Sequence, residues 1–99
     1  MGRVVAAEQI LQTKILQEVN SWPDGYALKV KGDGSNGFPD VFITTTRSGP
    51  FTVEVKAPGQ KPKPHQVVMH HQLERCGCRA FVCDSWQEWA RAKDAMGLL

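Results

Sequence analysis

Hydrophobic and polar positions along the chain follow two periods, one typical of helices and one typical of strands. Apolar residues recur at helical spacing near the N-terminus and in two later segments, which predicts amphipathic helices. Short alternating or apolar runs bounded by turn residues predict strands. The predicted helices cover 4–19, 64–76 and 85–96, and the predicted strands cover 26–31, 41–46, 51–57 and 79–84. This order, αβββαβα, indicates an α/β fold in one domain, residues 1–99, with helices flanking a mixed sheet.

Turn-forming residues mark the boundaries of these elements. Residues 23–25, Pro-Asp-Gly, form a turn signal, and Pro64 suits the first turn of the second helix. Ser85, with Glu88 three residues later, predicts a capping box at the start of the third helix. Residues 32–37 contain three glycines at a spacing that suggests a phosphate-binding loop, but no helical pattern follows. We therefore expect a mobile loop that admits a bulky substrate.

Three charged residues are expected to meet at one end of the sheet. Asp40 directly precedes one predicted strand, and Glu54 and Lys56 belong to the next. Because strand side chains alternate faces, Glu54 and Lys56 point the same way, while Val53 and Val55 point the other way. The hairpin would bring Asp40 near Glu54. Two carboxylates beside an ammonium predict a divalent-metal site with an electrostatic helper.

Two further polar residues lie on helix faces that otherwise look apolar. Glu8 shares the stripe of Leu11 and Ile15, where a carboxylate is costly unless it is paired or bound to a cation. A position at the edge of the stripe, reaching water, explains Glu8 equally well. Gln66 shares a face with Leu73 and so points toward the core or a site. Taken alone, Gln66 is more simply a capping or surface residue.

The composition is that of an ordinary soluble domain, with 41% hydrophobic and 22% charged residues. No apolar run approaches the roughly 20 residues needed to span a bilayer. The N-terminus lacks the apolar core of a secretion signal, so we expect a cytoplasmic protein without membrane contact. The net charge of +2 permits nucleic-acid binding without arguing for it. Five lysines either form one basic rim or are scattered and solvated: Lys29, Lys31, Lys56, Lys61 and Lys63.

Three cysteines in a chain without a secretion signal are expected to be reduced. A zinc site built from Cys76, Cys78, His70 and His71 is conceivable, but its spacing is poor. The cysteines are separated by one residue instead of two, and adjacent histidines point to different faces of a helix.

With these pieces in this order, the chain resembles the PD-(D/E)xK nuclease superfamily, and most of all its VRR-NUC branch in the small stand-alone form of phages and bacteria. The resemblance covers nearly the whole chain, although we find no Val-Arg-Arg element of the kind that names the branch. The matching segments are Glu8, the Gly-Phe-Pro-Asp of 37–40, the Glu-Val-Lys-Ala-Pro-Gly of 54–59, the Pro-His-Gln of 64–66 and the Val-Cys-Asp-Ser of 82–85.

The resemblance implies a metal-dependent DNA endonuclease. Asp40 and Glu54 would hold Mg²⁺ or Mn²⁺, with the backbone carbonyl of Val55 as a third ligand. Glu8 would be a further ligand, direct or through water, or would brace a second metal. Lys56 would orient or activate the attacking water and stabilise the developing negative charge.

The resemblance also implies how DNA is bound. Gln66 would orient the catalytic lysine or contact the scissile phosphate. Lys31, Lys61, Lys63 and His65 would contact the DNA backbone, where charge gives affinity without sequence readout. His65 is also an alternative base, ranked below the lysine because we expect it to be exposed at the start of a helix.

The resemblance finally implies a homodimer that resolves four-way (Holliday) junctions in a bacterial or phage-infected cell, because cutting two strands needs two sites. Candidate dimer contacts are the hairpin from Phe42 to Phe51 and the helix with Trp86 and Trp89. Cleavage of flaps, nicks or single strands is an alternative. A second alternative is a DNA-binding module that keeps the fold without cutting.

Overall fold

The structure is a computed structural model that describes residues 2–31 and 35–99, with side chains described from residue 6 onward. In this part of the chain the elements are α1 (Gly2–Ser21), β1 (Gly25–Lys29), β2 (Val41–Thr45), β3 (Gly49–Val55), α2 (Pro64–Arg75), β4 (Arg79–Cys83) and α3 (Trp86–Ala95). The predicted order αβββαβα is confirmed. Residues 32–34 of the predicted mobile loop lie outside the described part.

The four strands form one mixed sheet in the order β1-β2-β3-β4. β1, β2 and β3 pair antiparallel, whereas β3 and β4 pair parallel and are connected through α2. In this register Val41 faces Val53 across the hairpin, and Val55 faces Cys83. β3 therefore has a neighbouring strand on each side, and residues near its end are enclosed.

The hairpin connection is one residue shorter than the sequence pattern predicts and lies earlier in the chain. The predicted connection, residues 47–50, gives way to a turn that ends at Ser48, and β3 begins at Gly49. Thr45 causes this shift, because its Oγ1 accepts hydrogen bonds from the backbone N–H groups of Arg47 (3.1 Å) and Ser48 (2.9 Å). A hydroxyl that caps its own turn in this way fixes the reversal earlier than the glycine and proline alone suggest.

One face of the sheet carries the main core. The predicted stripe of α1, represented by Leu11, Ile15 and Val19, is buried against this face. The indole of Trp89 stacks on Phe51 with ring centroids 6.5 Å apart. The strand residues in this core are Ala27, Val41, Ile43, Phe51, Val53, Val55 and Cys83. None of the described helices is long and apolar enough to cross a membrane.

A polar cluster joins α1 to α3 at the edge of this core. Glu18 Oε1 accepts a hydrogen bond from Trp89 Nε1 at 2.7 Å, and Glu18 Oε2 lies 2.9 Å from Lys93 Nζ. Lys93 is almost fully buried, and its ammonium also lies 5.6 Å from the ring of Trp86. A buried ammonium is costly unless it is paired, and the carboxylate of Glu18 offsets the cost of burying Lys93. Trp89 is thus a core anchor, whereas Trp86 is 46% exposed.

Candidate active site

The end of β3 brings a carboxylate and an ammonium to the face of the sheet opposite α1. Glu54 is only 2% exposed, and Lys56 just beyond the strand is 9% exposed. The backbone N–H of Lys56 donates to Cys83 O at 2.9 Å, which continues the pairing with β4 past Val55. Glu54 and Lys56 consequently share a face, and Glu54 Oε2 lies 3.8 Å from Lys56 Nζ.

Asp40 reaches the same place from the start of β2. Its Oδ2 accepts a hydrogen bond from the backbone N–H of Val55 at 2.8 Å, and its backbone carbonyl accepts one from Val30 at 2.7 Å. Burial raises the pKa of Asp40 to about 7, and the neighbouring negative charge of Glu54 adds to the effect. The proximity of the two carboxylates therefore disfavours the charged form of Asp40.

The start of α2 closes over these carboxylates. Gln66 Nε2 donates to Glu54 Oε2 at 3.1 Å, and Gln66 Oε1 accepts from the backbone N–H of Lys63 at 2.7 Å. The amide thus contacts Glu54, whereas the sequence led us to expect a contact with Lys56 or with substrate. One turn later, His70 Nε2 lies 3.6 Å from Glu54 Oε1.

Gly37 allows the segment before Asp40 to pack against α2. Its φ is +76°, and a Cβ built on it would lie 2.5 Å from the backbone oxygen of His65 and 3.0 Å from Cα of Gln66. Any side chain here would collide with backbone. Pro39, the next but one residue after Gly37, is fully buried. The glycine therefore sets the distance between the carboxylate segment and the helix that carries Gln66.

The other residues that the sequence singled out are at least partly exposed to solvent. Lys31, Lys61, Lys63 and His65 are all exposed, and the last three belong to the 58–65 segment at the entry to α2. Glu8 is partly exposed on α1. Among the described residues, no three Asp, Glu, His or Cys side chains form a group that could hold a metal, so Glu8 does not join Asp40 and Glu54 in such a group.

The zinc alternative finds no support in the same part of the chain. Cys76 is exposed, Cys78 is partly exposed, and both are free thiols. His70 faces Glu54 instead of the cysteines. The described residues contain no His/Cys cluster with which a zinc ion could be bound.

His70 is the residue of this site whose role the sequence did not reveal. The sequence offered it only as one of four ligands in a zinc site of poor spacing. The signal that could have identified His70 is its position four residues after Gln66, because this spacing places two polar side chains next to each other on one face of a helix.

The family model of the VRR-NUC domain matches residues 3–87. The chain belongs to the VRR-NUC domain family. This VRR-NUC chain is 33% identical over 78 residues to a protein of Acyrthosiphon pisum secondary endosymbiont phage 1 named "Putative nuclease p44", a match that covers 79% of this chain and 83% of that protein.

Two solved structures share the fold of this VRR-NUC chain. One, described as "VRR_NUC domain", has a TM-score of 0.71 and 25% identity, and the match covers 89% of this chain and 95% of that one. The other, described as "VRR_NUC domain protein", has a TM-score of 0.71, 16% identity and coverage of 90% and 86%. The resemblance to the VRR-NUC branch, and the mixed α/β sheet it implies, are thereby confirmed, and the chain is a member of a nuclease family.

Proposed function

We propose that this VRR-NUC protein is a metal-dependent endonuclease that hydrolyses phosphodiester bonds in branched DNA. The observation that carries the proposal is the convergence of Asp40 and Glu54, with Lys56 beside them, at the ends of two paired strands. Asp40 is held by the amide of Val55, and Glu54 is held by Gln66. A rigid pair of carboxylates beside an ammonium suits a site that binds a dication and a phosphate.

The residues present fit a hard divalent cation. Asp40 and Glu54 are oxygen ligands of the kind that Mg²⁺ and Mn²⁺ prefer. Glu54 Oε1 is buried without a hydrogen-bond partner in the described structure, and the mutual repulsion of the carboxylates contributes to the raised pKa of Asp40. A cation would relieve both costs. We assign Asp40, Glu54 and the carbonyl of Val55 as ligands, with Glu8 as a more distant one acting through water.

A bound Mg²⁺ or Mn²⁺ would supply Lewis-acid stabilisation of the phosphate and a more acidic water. Lys56 orients the attacking water and balances the negative charge that develops on the phosphate, because its ammonium is held beside Glu54 with little exposure. Gln66 fixes the rotamer of Glu54 through its amide and leaves Lys56 free to face the substrate. The reaction is an in-line hydrolysis that leaves the site unchanged.

DNA is held by the exposed basic residues near this group. Lys61, Lys63 and His65 lie on the segment that leads from the catalytic strand into α2, and Lys31 follows β1. Contacts of this kind neutralise backbone phosphates and carry no sequence information. This arrangement supports recognition of DNA shape, such as a branch, above recognition of a base sequence.

Resolution of a four-way junction requires two sites, so we propose a homodimer. Of the contacts suggested by the sequence, Phe51 is unavailable because it is fully buried in the core, and Trp89 is buried in the same way. Trp86 remains 46% exposed, and Tyr26 on the edge strand β1 is 56% exposed. These two exposed aromatic residues mark the surfaces on which a second copy can pack.

Two other functions compete with this one. The first is cleavage of flaps, nicks or single strands by the same chemistry. The second is a DNA-binding module without activity. Glu54 argues against the second, because burying a carboxylate within 3.8 Å of Lys56 and beside Asp40 is costly and serves no purpose in simple backbone binding.

A cleavage panel tests the proposal. Labelled four-way junction, flap, nicked, single-stranded and linear duplex DNA are each incubated with Mg²⁺, Mn²⁺ or EDTA, and products are resolved on gels. Paired symmetric nicks in the junction, dependent on metal and lost in Asp40→Ala and Glu54→Ala, are the expected result. Lys56→Ala should lower the rate by several orders of magnitude while DNA binding is retained.

Each part of the proposal has its own contrary outcome. Cleavage of flaps or single strands alone would keep the nuclease and discard junction resolution. A monomeric mass by light scattering at micromolar concentration would contradict the homodimer. DNA binding without metal-dependent cleavage of any substrate would indicate the DNA-binding module without activity. Cleavage by Lys56→Ala at the wild-type rate would refute the catalytic role of the lysine.

A further inference from the structure

His70 presents a buried polar atom to the site without being bonded to it. The residue lies on α2 and is 7% exposed. Its Nε2 faces Glu54 Oε1 at 3.6 Å. Within the described part of the chain, these two atoms are the buried side-chain nitrogen and oxygen atoms that have no hydrogen-bond partner. Buried polar groups are normally bonded, so two unpaired atoms that face each other point to a functional arrangement.

The second oxygen of the same carboxylate is already held by the same helix. Gln66 Nε2 donates to Glu54 Oε2 at 3.1 Å. Gln66 and His70 are four residues apart and therefore lie one above the other on a single face of α2. A neutral imidazole has one N–H donor, and when that donor is Nε2–H it can bond an acceptor oxygen. A hydrogen bond from His70 would need an approach of well under 1 Å, since N–H···O bonds extend to about 3.2 Å.

We propose that His70 is a positioning residue that donates its Nε2–H to Glu54 Oε1. With Gln66 on the other oxygen, the carboxylate is held by two donors from one helix and keeps its remaining lone pairs directed at the cation. The inference rests on the proposed function, because it takes Glu54 as a metal ligand. Direct ligation by His70 is disfavoured, since the described residues contain no group of three Asp, Glu, His or Cys side chains that could hold a metal.

Removal of a donor that orients a metal ligand typically lowers metal affinity about 10–100-fold. We would titrate the metal-free protein with Mn²⁺ in the absence of DNA and follow free Mn²⁺ by electron paramagnetic resonance. His70→Leu should bind about 10–100-fold more weakly than wild type. His70→Gln keeps an N–H donor and should restore most of the affinity. His71→Gln, an exposed neighbour on α2, is the matched control and should bind as wild type does.

The Mg²⁺-loaded wild-type protein provides a test that needs no variant. In ¹⁵N-histidine-labelled protein, nuclear magnetic resonance distinguishes a protonated from an unprotonated Nε2 of His70. A protonated, hydrogen-bonded Nε2 is expected, and an unprotonated Nε2 would overturn the inference. This measurement decides the question even if His70→Leu fails to fold, which circular dichroism would reveal.

The titration separates the failure of this inference from the failure of the proposed function. If wild-type protein and His70→Leu bind Mn²⁺ equally, the positioning role of His70 is refuted and the metal site stands. If His70→Gln binds as weakly as His70→Leu, and Mn²⁺ bound to wild type shows coupling to a histidine nitrogen, then His70 is a ligand and the inference is refuted. If wild-type protein binds no Mn²⁺, both proposals fall.

Discussion

Asp40→Asn should make the metal-free protein more stable at alkaline pH even though it should abolish cleavage. The pKa of Asp40 is raised from 3.8 to about 7 in the folded protein, first by burial and then by Glu54. Between these values the folded chain holds a proton that the unfolded chain releases, so the free energy of unfolding falls as the pH rises from about 4 to about 7 and then levels off. Asparagine has no such proton, and its side-chain oxygen can still accept the hydrogen bond of Val55.

The size of this effect can be bounded from the structure. A pKa of about 7 against 3.8 corresponds to at most about 4 kcal/mol above pH 7. Because Asp40 is partly exposed, solvent screening reduces this figure, and we expect about 1–2 kcal/mol. More than a third of this penalty is already present at pH 5, so the gain of Asp40→Asn over wild type should be larger at pH 8 than at pH 5 by about 1 kcal/mol.

Urea denaturation in EDTA, followed by tryptophan fluorescence, measures this gain at both pH values. Asp94→Asn, which removes an exposed carboxylate from α3, gives the baseline for the loss of one surface charge. Saturating Mn²⁺ at pH 8 should stabilise wild type and leave Asp40→Asn almost unchanged, because the variant lacks a ligand. A gain that is the same at pH 5 and pH 8, or larger at pH 5, would refute the assignment of a costly carboxylate pair.

Three further predictions concern other contacts. Gly37→Ala should lower the free energy of unfolding by about 2–4 kcal/mol, because the added Cβ would collide with backbone atoms of α2. Gly49→Ala is the control and should cost only about 1 kcal/mol, because Gly49 has a similar φ of +70° but open space around it. Equal costs of the two substitutions in urea denaturation would contradict the close approach of Gly37 to α2. Glu18→Ala should lower the free energy of unfolding by about 1–3 kcal/mol, because it leaves the buried ammonium of Lys93 without its charged partner. Glu18→Gln should cost less, because its amide oxygen can still accept a hydrogen bond. Identical losses of stability for the two variants would argue against the charge pair. Lys63→Ala should reduce the salt slope of DNA binding by about 1 in a filter-binding assay, and an unchanged slope would remove this residue from the DNA interface.

The elements and their order followed from the sequence because the amphipathic patterns agree with the tertiary packing. The convergence of Asp40 with Glu54 was also predictable, since a hairpin of known register brings these positions together. The ends of the strands were less predictable. Thr45 closes the turn with its own hydroxyl, a local bond that a hydropathy pattern does not encode. The bounds of β1 also differ from the prediction, since this strand covers Gly25–Lys29 instead of 26–31.

Contacts between distant elements account for the remaining differences. His70 meets Glu54 only because α2 packs close to the end of β3, and a pattern of residues along one helix carries no information on how that helix lies against the sheet. The sequence left open whether Glu8, on the stripe of Leu11 and Ile15, faces the core or reaches water, and it is partly exposed in the first half of α1. An apolar stripe defines the direction of a helix face but not how far along the helix the core extends.

The burial of Cys83 has a consequence for observing the motions of the active site. Cys83 pairs with Val55 at the end of β3, and burial raises the pKa of its thiol to about 12, so the folded protein offers almost no reactive thiolate there. In a protein with Cys76→Ser and Cys78→Ser, a thiol reagent can modify Cys83 only when the core that buries it against the sheet opens. The labelling rate then measures how often this core opens, and a slower rate in the presence of added cation would give the fraction of openings that the metal suppresses.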